Sequence, residues 1–269
     1  MKKGIRGHDV LPQGIADISN KCHLAGIKYL QLVLERSKDG FAFGKFSFGY
    51  ANEIKQELGK SVVAVLGSYI NPSEPDDVML SENLAKFKEK IQYASVIRPI
   101  VVGTETGTYI EGKTYTEEAY QRVLKSIKEL TKEAEKYDVC IGIEGVHLFV
   151  IDSPVAMARL IEDVNSDNLK VIFDPCNLIN AGNYKEQDKI ICDMFDMLHD
   201  RISVVHAKDF TVSNGEIIKA MIGEGMLNYK LIFEKMKEYN LDIPIISEEV
   251  DLELAKKGFT ILENIAKMV

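Results

Sequence analysis

The sequence predicts an α/β protein built as a single (β/α)8 barrel, in which eight parallel strands are each followed by a helix. Short apolar runs alternate with longer segments of helical period, and the 269 residues accommodate eight such units of about 34 residues each. Four of the apolar runs end in a carboxylate or an imidazole. With 46% hydrophobic residues the chain can bury one large core, so we expect one domain over residues 1–269.

The first half of the chain contains four strand–helix units. Its predicted strands are residues 4–9, 26–34, 61–66 and 96–102, which are rich in the β-branched and aliphatic side chains that suit a buried sheet. Its predicted helices are residues 11–24, 51–58, 81–94 and 116–137. The last of these helices has a start signal, since Thr116 can act as N-cap and Glu117 and Glu118 complement the helix dipole in the first turn.

The second half repeats the pattern more regularly. Its predicted strands are residues 139–144, 169–174, 202–206 and 243–248. The fifth helix begins at Ser153 and Pro154, an N-cap followed by proline at the first helical position. The remaining helices are predicted at residues 184–199, 229–239 and 251–268.

Four strand ends carry the residues most suited to chemistry: Glu144, Asp174, His206 and Glu248. A single such residue is more often a helix cap or a solvated charge than a functional group. In a barrel, however, the carboxyl ends of the strands converge on the active-site face, where these carboxylates would repel one another without a cation between them. Three oxygen ligands and one nitrogen ligand suit Mn²⁺, Mg²⁺, Co²⁺ or Zn²⁺.

Composition narrows the classes of partner. The net charge of −8 and the pI near 5.3 disfavour nucleic-acid binding, which needs clustered Lys and Arg, so we expect a small-molecule substrate. No apolar run is long enough for a membrane span or a signal peptide. The four cysteines lack paired spacing, which favours a reducing cytoplasm. A doubly wound open sheet is the competing fold, but no strand is followed by its glycine-rich phosphate-binding motifs.

Several segments resemble one family of barrels. The segments at the strand ends are Ile143-Glu144, Phe173-Asp174-Pro175, Val205-His206-Ala207-Lys208-Asp209 and Ser247-Glu248. Matching loops are Asn71-Pro72 with Pro75-Asp76, Glu105-Thr106-Gly107 and Gly223-Glu224-Gly225. Together they resemble the xylose isomerase-like TIM barrel superfamily over nearly the whole chain, in the sugar phosphate isomerase/epimerase group that includes D-tagatose 3-epimerase and related ketose 3-epimerases.

The resemblance implies a metal-dependent isomerase or epimerase acting on a sugar or sugar phosphate. Glu144, Asp174, His206 and Glu248 would bind one divalent metal, with Mn²⁺ ranked first. Glu144 and Glu248 would also exchange protons with the carbon next to the metal-bound carbonyl, through an enediolate. The expected substrate-binding residues are His8, Glu105, His147, Asn177 and Lys208. Lys208 has a second interpretation, an ion pair with Asp209.

Two departures from the family pattern concern the substrate. Asn177 stands where ketose 3-epimerases usually carry a histidine. Those enzymes also carry an arginine a few residues after the histidine strand, whereas residues 209–219 of this chain contain no arginine. Glu248 and Glu249 are adjacent, and strand alternation lets only one face inward; Glu248 aligns better with the family.

Other functions remain open. The alternatives are an endonuclease IV-like phosphodiesterase, an inosose dehydratase and a barrel that binds sugar without turnover. Five histidines in the whole chain are few for the multinuclear zinc site of the first alternative. Family resemblance also leads us to expect a homo-oligomer.

Overall fold

Parallel strands form a closed barrel at the centre of the protein. This computed structural model describes residues 1–10 and 13–269. The barrel strands and a separate pair, numbered in chain order, are β1 (Lys2–Arg6), β2 (Tyr29–Leu32), β3 (Val62–Gly67), β4 (Val101–Thr104), β5 (Ile141–Glu144), β6 (Leu169–Phe173), β7 (Ile202–Ala207), β8 (Asp209–Ser213), β9 (Glu216–Ala220) and β10 (Pro244–Ser247). The barrel closes in the order β1-β10-β7-β6-β5-β4-β3-β2, and each neighbouring pair is parallel. The predicted (β/α)8 barrel is confirmed.

Helices lie between successive strands of the barrel. They are α1 (Ile15–Leu24), α2 (Leu34–Ser37), α3 (Phe48–Glu57), α4 (Asp77–Ile97), α5 (Glu117–Glu135), α6 (Pro154–Val164), α7 (Pro175–Leu178), α8 (Gln187–Leu198), α9 (Tyr229–Glu238) and α10 (Leu252–Ala266). The two predicted N-caps are confirmed, since the hydroxyl of Thr116 accepts the N–H of Ala119 at 3.2 Å and that of Ser153 accepts the N–H of Ala156 at 3.3 Å.

The first strand is shorter than the sequence indicated. It ends at Arg6, and a 3₁₀ turn over Gly7–Val10 follows, so His8 lies in that turn rather than at a strand end. The predicted start of the first helix, at residue 11, lies outside the described residues. The helix is observed from Ile15.

The boundary between the helix predicted at residues 81–94 and the strand predicted at residues 96–102 was wrong. Helix α4 continues to Ile97, where Arg98 ends it in a left-handed conformation (φ 61°). Pro99 lacks a backbone N–H and restricts the residue before it, so strand β4 begins only at Val101. The N-terminus of α4 is also earlier than expected, because Asp76 caps it by accepting the N–H groups of Val78 and Met79.

A hairpin extends the chain after β7, where the sequence analysis identified no strands. Strands β8 and β9 pair antiparallel through a turn at Asn214 and Gly215, which have φ values of 52° and 80°. Positive φ at both positions is the geometry that Asn-Gly favours in a two-residue hairpin. The signal was therefore present in the sequence.

Apolar side chains fill the barrel interior and the layer between barrel and helices. The interior cluster contains Val65, Val101, Ile172, Val204 and Ile246, all buried. Gly103 makes room for it, since a Cβ there would lie 2.5 Å from Val65 Cγ1. This apolar cluster fills the barrel interior, and the polar side chains lie above it, at the carboxyl ends of the strands.

Within the described residues, none of the helices combines the length and apolar character needed to cross a bilayer. The four cysteines are free thiols. That residues 1–269 form one domain stays a prediction.

Candidate functional site

Four polar side chains meet at the carboxyl end of the barrel. Glu144 ends β5, Asp174 follows β6, His206 lies in β7 and Glu248 follows β10. Their candidate ligand atoms all lie within 4.8 Å of one another, and all four residues are buried. His206 Nδ1 is 3.3 Å from Glu144 Oε1, 3.7 Å from Asp174 Oδ2 and 3.8 Å from Glu248 Oε1. The imidazole nitrogen therefore faces three carboxylates at once.

The local sequence explains how Asp174 is oriented. Pro175 takes the first position of α7, and Asp174 is its N-cap. Asp174 Oδ1 accepts the N–H of Asn177 at 3.0 Å, while Oδ2 receives no backbone hydrogen bond and faces His206 and Lys208. One oxygen thus fixes the backbone turn and the other is offered to the site.

The donor set fits a divalent cation. Ligands about 2.1 Å from one ion lie about 3–4 Å apart, close to the spacing of the atoms around His206 Nδ1. Three buried carboxylates with one imidazole would otherwise be costly to hold together, because like charges at this distance repel. Carboxylate oxygens and imidazole nitrogen are ligands that Mn²⁺, Mg²⁺, Co²⁺ and Zn²⁺ accept.

Lys208 reaches the same group rather than Asp209. Its Nζ lies 2.9 Å from Asp174 Oδ2, 2.9 Å from Glu248 Oε2 and 3.2 Å from Asn177 Oδ1. Burial alone would lower the pKa of Lys208, but these carboxylates raise it above its ordinary value. Lys208 is therefore a fixed positive charge on the wall of the site.

Asp209 has a structural task. Its two carboxylate oxygens accept four backbone N–H groups, those of Phe210, Gly223, Gly225 and Leu227, at 2.8–3.0 Å. A Cβ on Gly225 would lie 2.2 Å from Asp209 Oδ1, so only glycine allows this approach. The contacts tie the start of the hairpin to the loop before α9.

The two glutamates of the group have unlike electrostatic surroundings. Burial raises the pKa of Glu144 above its ordinary value, despite the opposing effect of His206. Burial has the same tendency at Glu248, but His206 and Lys208 outweigh it and lower the pKa of Glu248. A bound cation would favour the ionised form of the carboxylate oxygens that bind it and would displace any proton from the imidazole nitrogen that binds it.

A cavity of about 500 Å³ opens above the group. One side is lined by residues of the second half of the chain, among them Glu144, Asn177, Lys208 and Glu248. The other side is lined by residues of the first half: Arg6, His8, Gln31, Val33, Glu35, Arg36, Tyr69 and Glu105. The volume is in the range of small-molecule sites.

The residues expected to bind substrate take different positions. His8 lines the cavity with its Nε2 3.1 Å from Arg36 Nη1, and Glu105 lines it from the β4 side. Burial and the nearby Glu144 raise the pKa of Glu105 to about 7. Asn177 also lines the cavity, but its Nδ2 donates to Glu144 Oε1 at 2.6 Å.

His147 lies behind Asn177. Its backbone N–H donates to the carbonyl oxygen of Asn177 at 2.8 Å, and its Nδ1 lies 3.0 Å from the same oxygen. His147 is absent from the cavity lining formed by the described residues. These contacts support the backbone of Asn177, and a role for His147 in substrate binding stays a prediction.

Glu248 and Glu249 point in different directions. Glu248 is 4% exposed and belongs to the buried group, whereas Glu249 has φ 59° and an exposed side chain. Glu249 Oε2 lies 3.5 Å from Lys219 Nζ, and Oε1 lies 3.8 Å from Lys208 Nζ. The left-handed backbone at Glu249 turns its side chain away from the buried group, although Glu249 still lines the cavity above it.

Among the described residues, sequence reasoning missed seven, of which three lie beside the buried group and four lie elsewhere on the cavity wall: Arg6, Gln31 and Tyr69, and Val33, Glu35, Arg36 and Val146. Arg6 holds Asp9 through two hydrogen bonds and places its Nη1 3.9 Å from Glu248 Oε2. Gln31 donates to both Glu248 and Tyr69. A signal existed for Gln31 alone, a polar residue inside the apolar run of the second strand. Its partner 217 positions away could not be read from that run.

Comparison with known proteins gives concordant findings. A family model described as "Xylose isomerase-like TIM barrel" matches residues 20–265. The uncharacterized protein MJ1311 of Methanocaldococcus jannaschii is 27% identical over 207 residues, which cover 75% of this chain and 68% of that protein.

Three solved structures resemble the fold. A D-tagatose 3-epimerase-like protein has a TM-score of 0.80 and 20% identity, covering 100% of this chain and 98% of its own. D-psicose 3-epimerase with D-tagatose, from Clostridium cellulolyticum H10, has a TM-score of 0.76 and 14% identity, covering 100% and 99%. The IOLI protein with a bound zinc atom has a TM-score of 0.76 and 16% identity, also covering 100% and 99%. At these identities the likeness shows the fold.

Proposed function

Because the chain belongs to the xylose isomerase-like TIM barrel family, we propose that it is a divalent-metal-dependent isomerase or epimerase of a sugar or sugar phosphate. The observation that supports this most directly is the buried group of Glu144, Asp174, His206 and Glu248 beneath a cavity of small-molecule size. Resemblance in fold to sugar epimerases supports the same substrate class.

In this proposal the four residues hold one divalent ion, with Mn²⁺ ranked first and Mg²⁺, Co²⁺ or Zn²⁺ as alternatives. The ion would polarise a substrate carbonyl and so acidify the neighbouring C–H bond. Asn177 and Lys208 would keep Glu144, Asp174 and Glu248 in place, since both already contact these carboxylates.

Proton transfer would be carried by Glu144 and Glu248, on strands on opposite sides of His206 in the barrel order. One group, ionised at the start, would remove the proton next to the carbonyl, and the other, protonated at the start, would return its proton to the enediolate, so turnover would exchange their protonation states. Return to the opposite face epimerises the carbon, whereas transfer of the proton to the neighbouring carbon on one face exchanges aldose and ketose. Lys208 and Arg6, beside Glu248, would favour its ionised form and hence its use as the base.

A dehydration, as in an inosose dehydratase, is the second candidate, and Glu105 favours it. This carboxyl faces the cavity, where burial favours its protonated form, and a protonated Glu105 would supply a proton to a departing hydroxyl. A phosphodiesterase with several metal ions has less support, because the metal-binding group found among the described residues contains a single histidine.

Solvent proton exchange tests the proposal. The protein, loaded with Mn²⁺ in D₂O, is incubated with ketoses, their phosphates and inososes, and deuterium is located by NMR. We expect the protein to incorporate deuterium at the carbon next to the carbonyl of at least one compound. The Glu144→Gln variant should lose this activity and the Glu249→Gln variant should retain it. Elimination of water from an inosose would select the dehydratase. Cleavage of abasic DNA with no exchange in any sugar would replace the proposal with the endonuclease-like function.

The proposal extends to the whole protein as one domain over residues 1–269, located in the cytoplasm and assembled as a homo-oligomer. Light scattering at micromolar concentration measures the oligomeric state, and a monomer would refute the proposed homo-oligomer.

A further inference from the structure

Gln31 is a buried polar side chain between two leucines of strand β2. It is 1% exposed, and its neighbours Leu30 and Leu32 are fully buried in the layer between barrel and helices. Because side chains alternate along a strand, Gln31 points to the opposite side, toward the barrel axis. It also lines the cavity above the metal-binding group.

The amide nitrogen of Gln31 is committed to two partners. It donates to Glu248 Oε1 at 2.7 Å and to the hydroxyl oxygen of Tyr69 at 2.6 Å. An ionised carboxylate only accepts hydrogen bonds, so the nitrogen and not the oxygen of the amide faces Glu248. With Lys208 Nζ 2.9 Å from Oε2, both oxygens of Glu248 are held, and the plane of its carboxylate is fixed.

The arrangement has a counterpart on the other side of the site. Asn177 Nδ2 donates to Glu144 Oε1 at 2.6 Å, as Gln31 Nε2 donates to Glu248 Oε1. Each of the two proposed proton-transfer groups therefore receives a hydrogen bond from a neutral amide. An amide can orient a carboxylate without supplying a competing charge or proton.

Gln31 is held in this position at a cost to folding. Its Oε1 is buried and has no hydrogen-bond partner among the described residues. An unpaired buried acceptor destabilises a fold, and an apolar side chain of similar length would avoid that penalty. A buried polar group whose bonds are incompletely satisfied needs a reason other than stability.

Tyr69 extends the contact toward the substrate. Its oxygen accepts from Gln31, which leaves the O–H proton available for donation, and Tyr69 lines the cavity. Tyr69 is 41% exposed as a whole residue, but burial around its hydroxyl and the nearby Glu144 and Glu248 raise its pKa, so the hydroxyl keeps this proton.

We propose that Gln31 is a positioning residue that orients Glu248 for proton transfer and aims the Tyr69 hydroxyl at a substrate oxygen on the same side of the cavity. This rests on the proposed isomerase or epimerase function. Tyr69 contacts the substrate and Gln31 acts through its two partners.

Steady-state exchange kinetics test the role, with the Mn²⁺-loaded protein and whichever panel compound the wild type exchanges. Gln31→Met removes the amide at similar length, and Tyr69→Phe removes only the hydroxyl. Gln56→Met on the exposed face of α3 and Tyr137→Phe after α5 are matched controls, since neither residue lines the cavity. Metal content and the unfolding midpoint are measured for every variant.

We expect Gln31→Met to lower kcat about ten- to a hundredfold with KM within about threefold, the loss typical of one hydrogen bond to a charged group. Its metal content should stay at the wild-type value and its midpoint should be unchanged or higher. Tyr69→Phe should mainly raise KM. The variant that carries both substitutions should lose less kcat/KM than the product of the two single losses. The reason is that Gln31 and Tyr69 are coupled through the hydrogen bond between them.

The two failures are distinguishable. A wild type that exchanges no compound refutes the proposed function, and the role of Gln31 falls with it. A wild type that exchanges while Gln31→Met keeps its kcat refutes the role of Gln31 alone. A lower midpoint together with equal losses in both kcat and metal content would make Gln31 a structural residue.

Discussion

Removal of the divalent ion should lower the stability of the protein through repulsion within the buried group. The candidate ligand atoms of Glu144, Asp174, His206 and Glu248 lie within 4.8 Å of one another. Two unit charges about 4 Å apart repel by about 4 kcal/mol at an effective dielectric constant of about 20. Lys208, beside two of the carboxylates, offsets part of this repulsion, and a bound ion would offset the rest.

The size of the effect follows from linkage. An ion present at about 100 times its Kd stabilises the folded state by about 2.7 kcal/mol. Since about 1 kcal/mol moves the midpoint of a chain of this size by about 2–4 °C, chelation should lower the Tm by roughly 5–10 °C. Glu144→Gln removes both a ligand and a repelling charge, so the chelated variant should be at least as stable as the chelated wild type and should respond little to Mn²⁺.

Thermal unfolding monitored by circular dichroism, in the presence of EDTA or Mn²⁺, measures this change in Tm. Elemental analysis gives the metal content. Glu249→Gln is the matched control, because it removes the same charge from the exposed neighbour of Glu248 and should keep the full response. A Glu144→Gln protein with the wild-type response and one ion per chain would refute the assignment of Glu144 as a ligand. A wild type without any response would refute the metal site.

Other perturbations have defined outcomes. Because burial raises the pKa of Glu105 to about 7 from an ordinary 4.5, folding favours its protonated form, so in chelated protein the stability contributed by Glu105 should fall as pH rises from about 4.5 to 7. Urea unfolding across that range should show a shallower decline in Glu105→Gln, and an identical decline would contradict the assignment. Arg36 lines the cavity, and its side-chain partner among the described residues is His8 Nε2. Because an arginine can bind a phosphate group through charged hydrogen bonds, Arg36→Gln should raise KM at least about tenfold for a phosphorylated substrate and little for its neutral analogue. Equal effects on the two substrates would show that Arg36 does not recognise the phosphate.

The barrel itself was determined by local features of the sequence. Apolar runs of strand length alternating with amphipathic segments predicted the eight strand–helix units, and the caps Thr116 and Ser153 were confirmed. These signals are local because strand period, helix period and capping depend on residues a few positions apart. The four residues that gather beneath the cavity could be anticipated for a related reason, since parallel strands of a barrel end on one face.

Element boundaries depended on competing local tendencies. Residues 96–97 are apolar and suit either a helix or a strand. In the structure they belong to helix α4, which continues to Ile97. His8 was expected to end a strand, but the chain turns after Arg6. In such cases packing against the rest of the fold outweighs the preference of a few residues.

Only the tertiary structure decided which partners the site residues have. Lys208 had two equally plausible interpretations, and its place 2.9 Å from both Asp174 and Glu248 follows from where β6, β7 and β10 bring their ends together. The contact between Gln31 and Glu248 joins residues 217 positions apart, on strands separated by β1 in the closed barrel. Side chains meet there because the barrel closes, and closure depends on the pairing of all its strands rather than on any one of them.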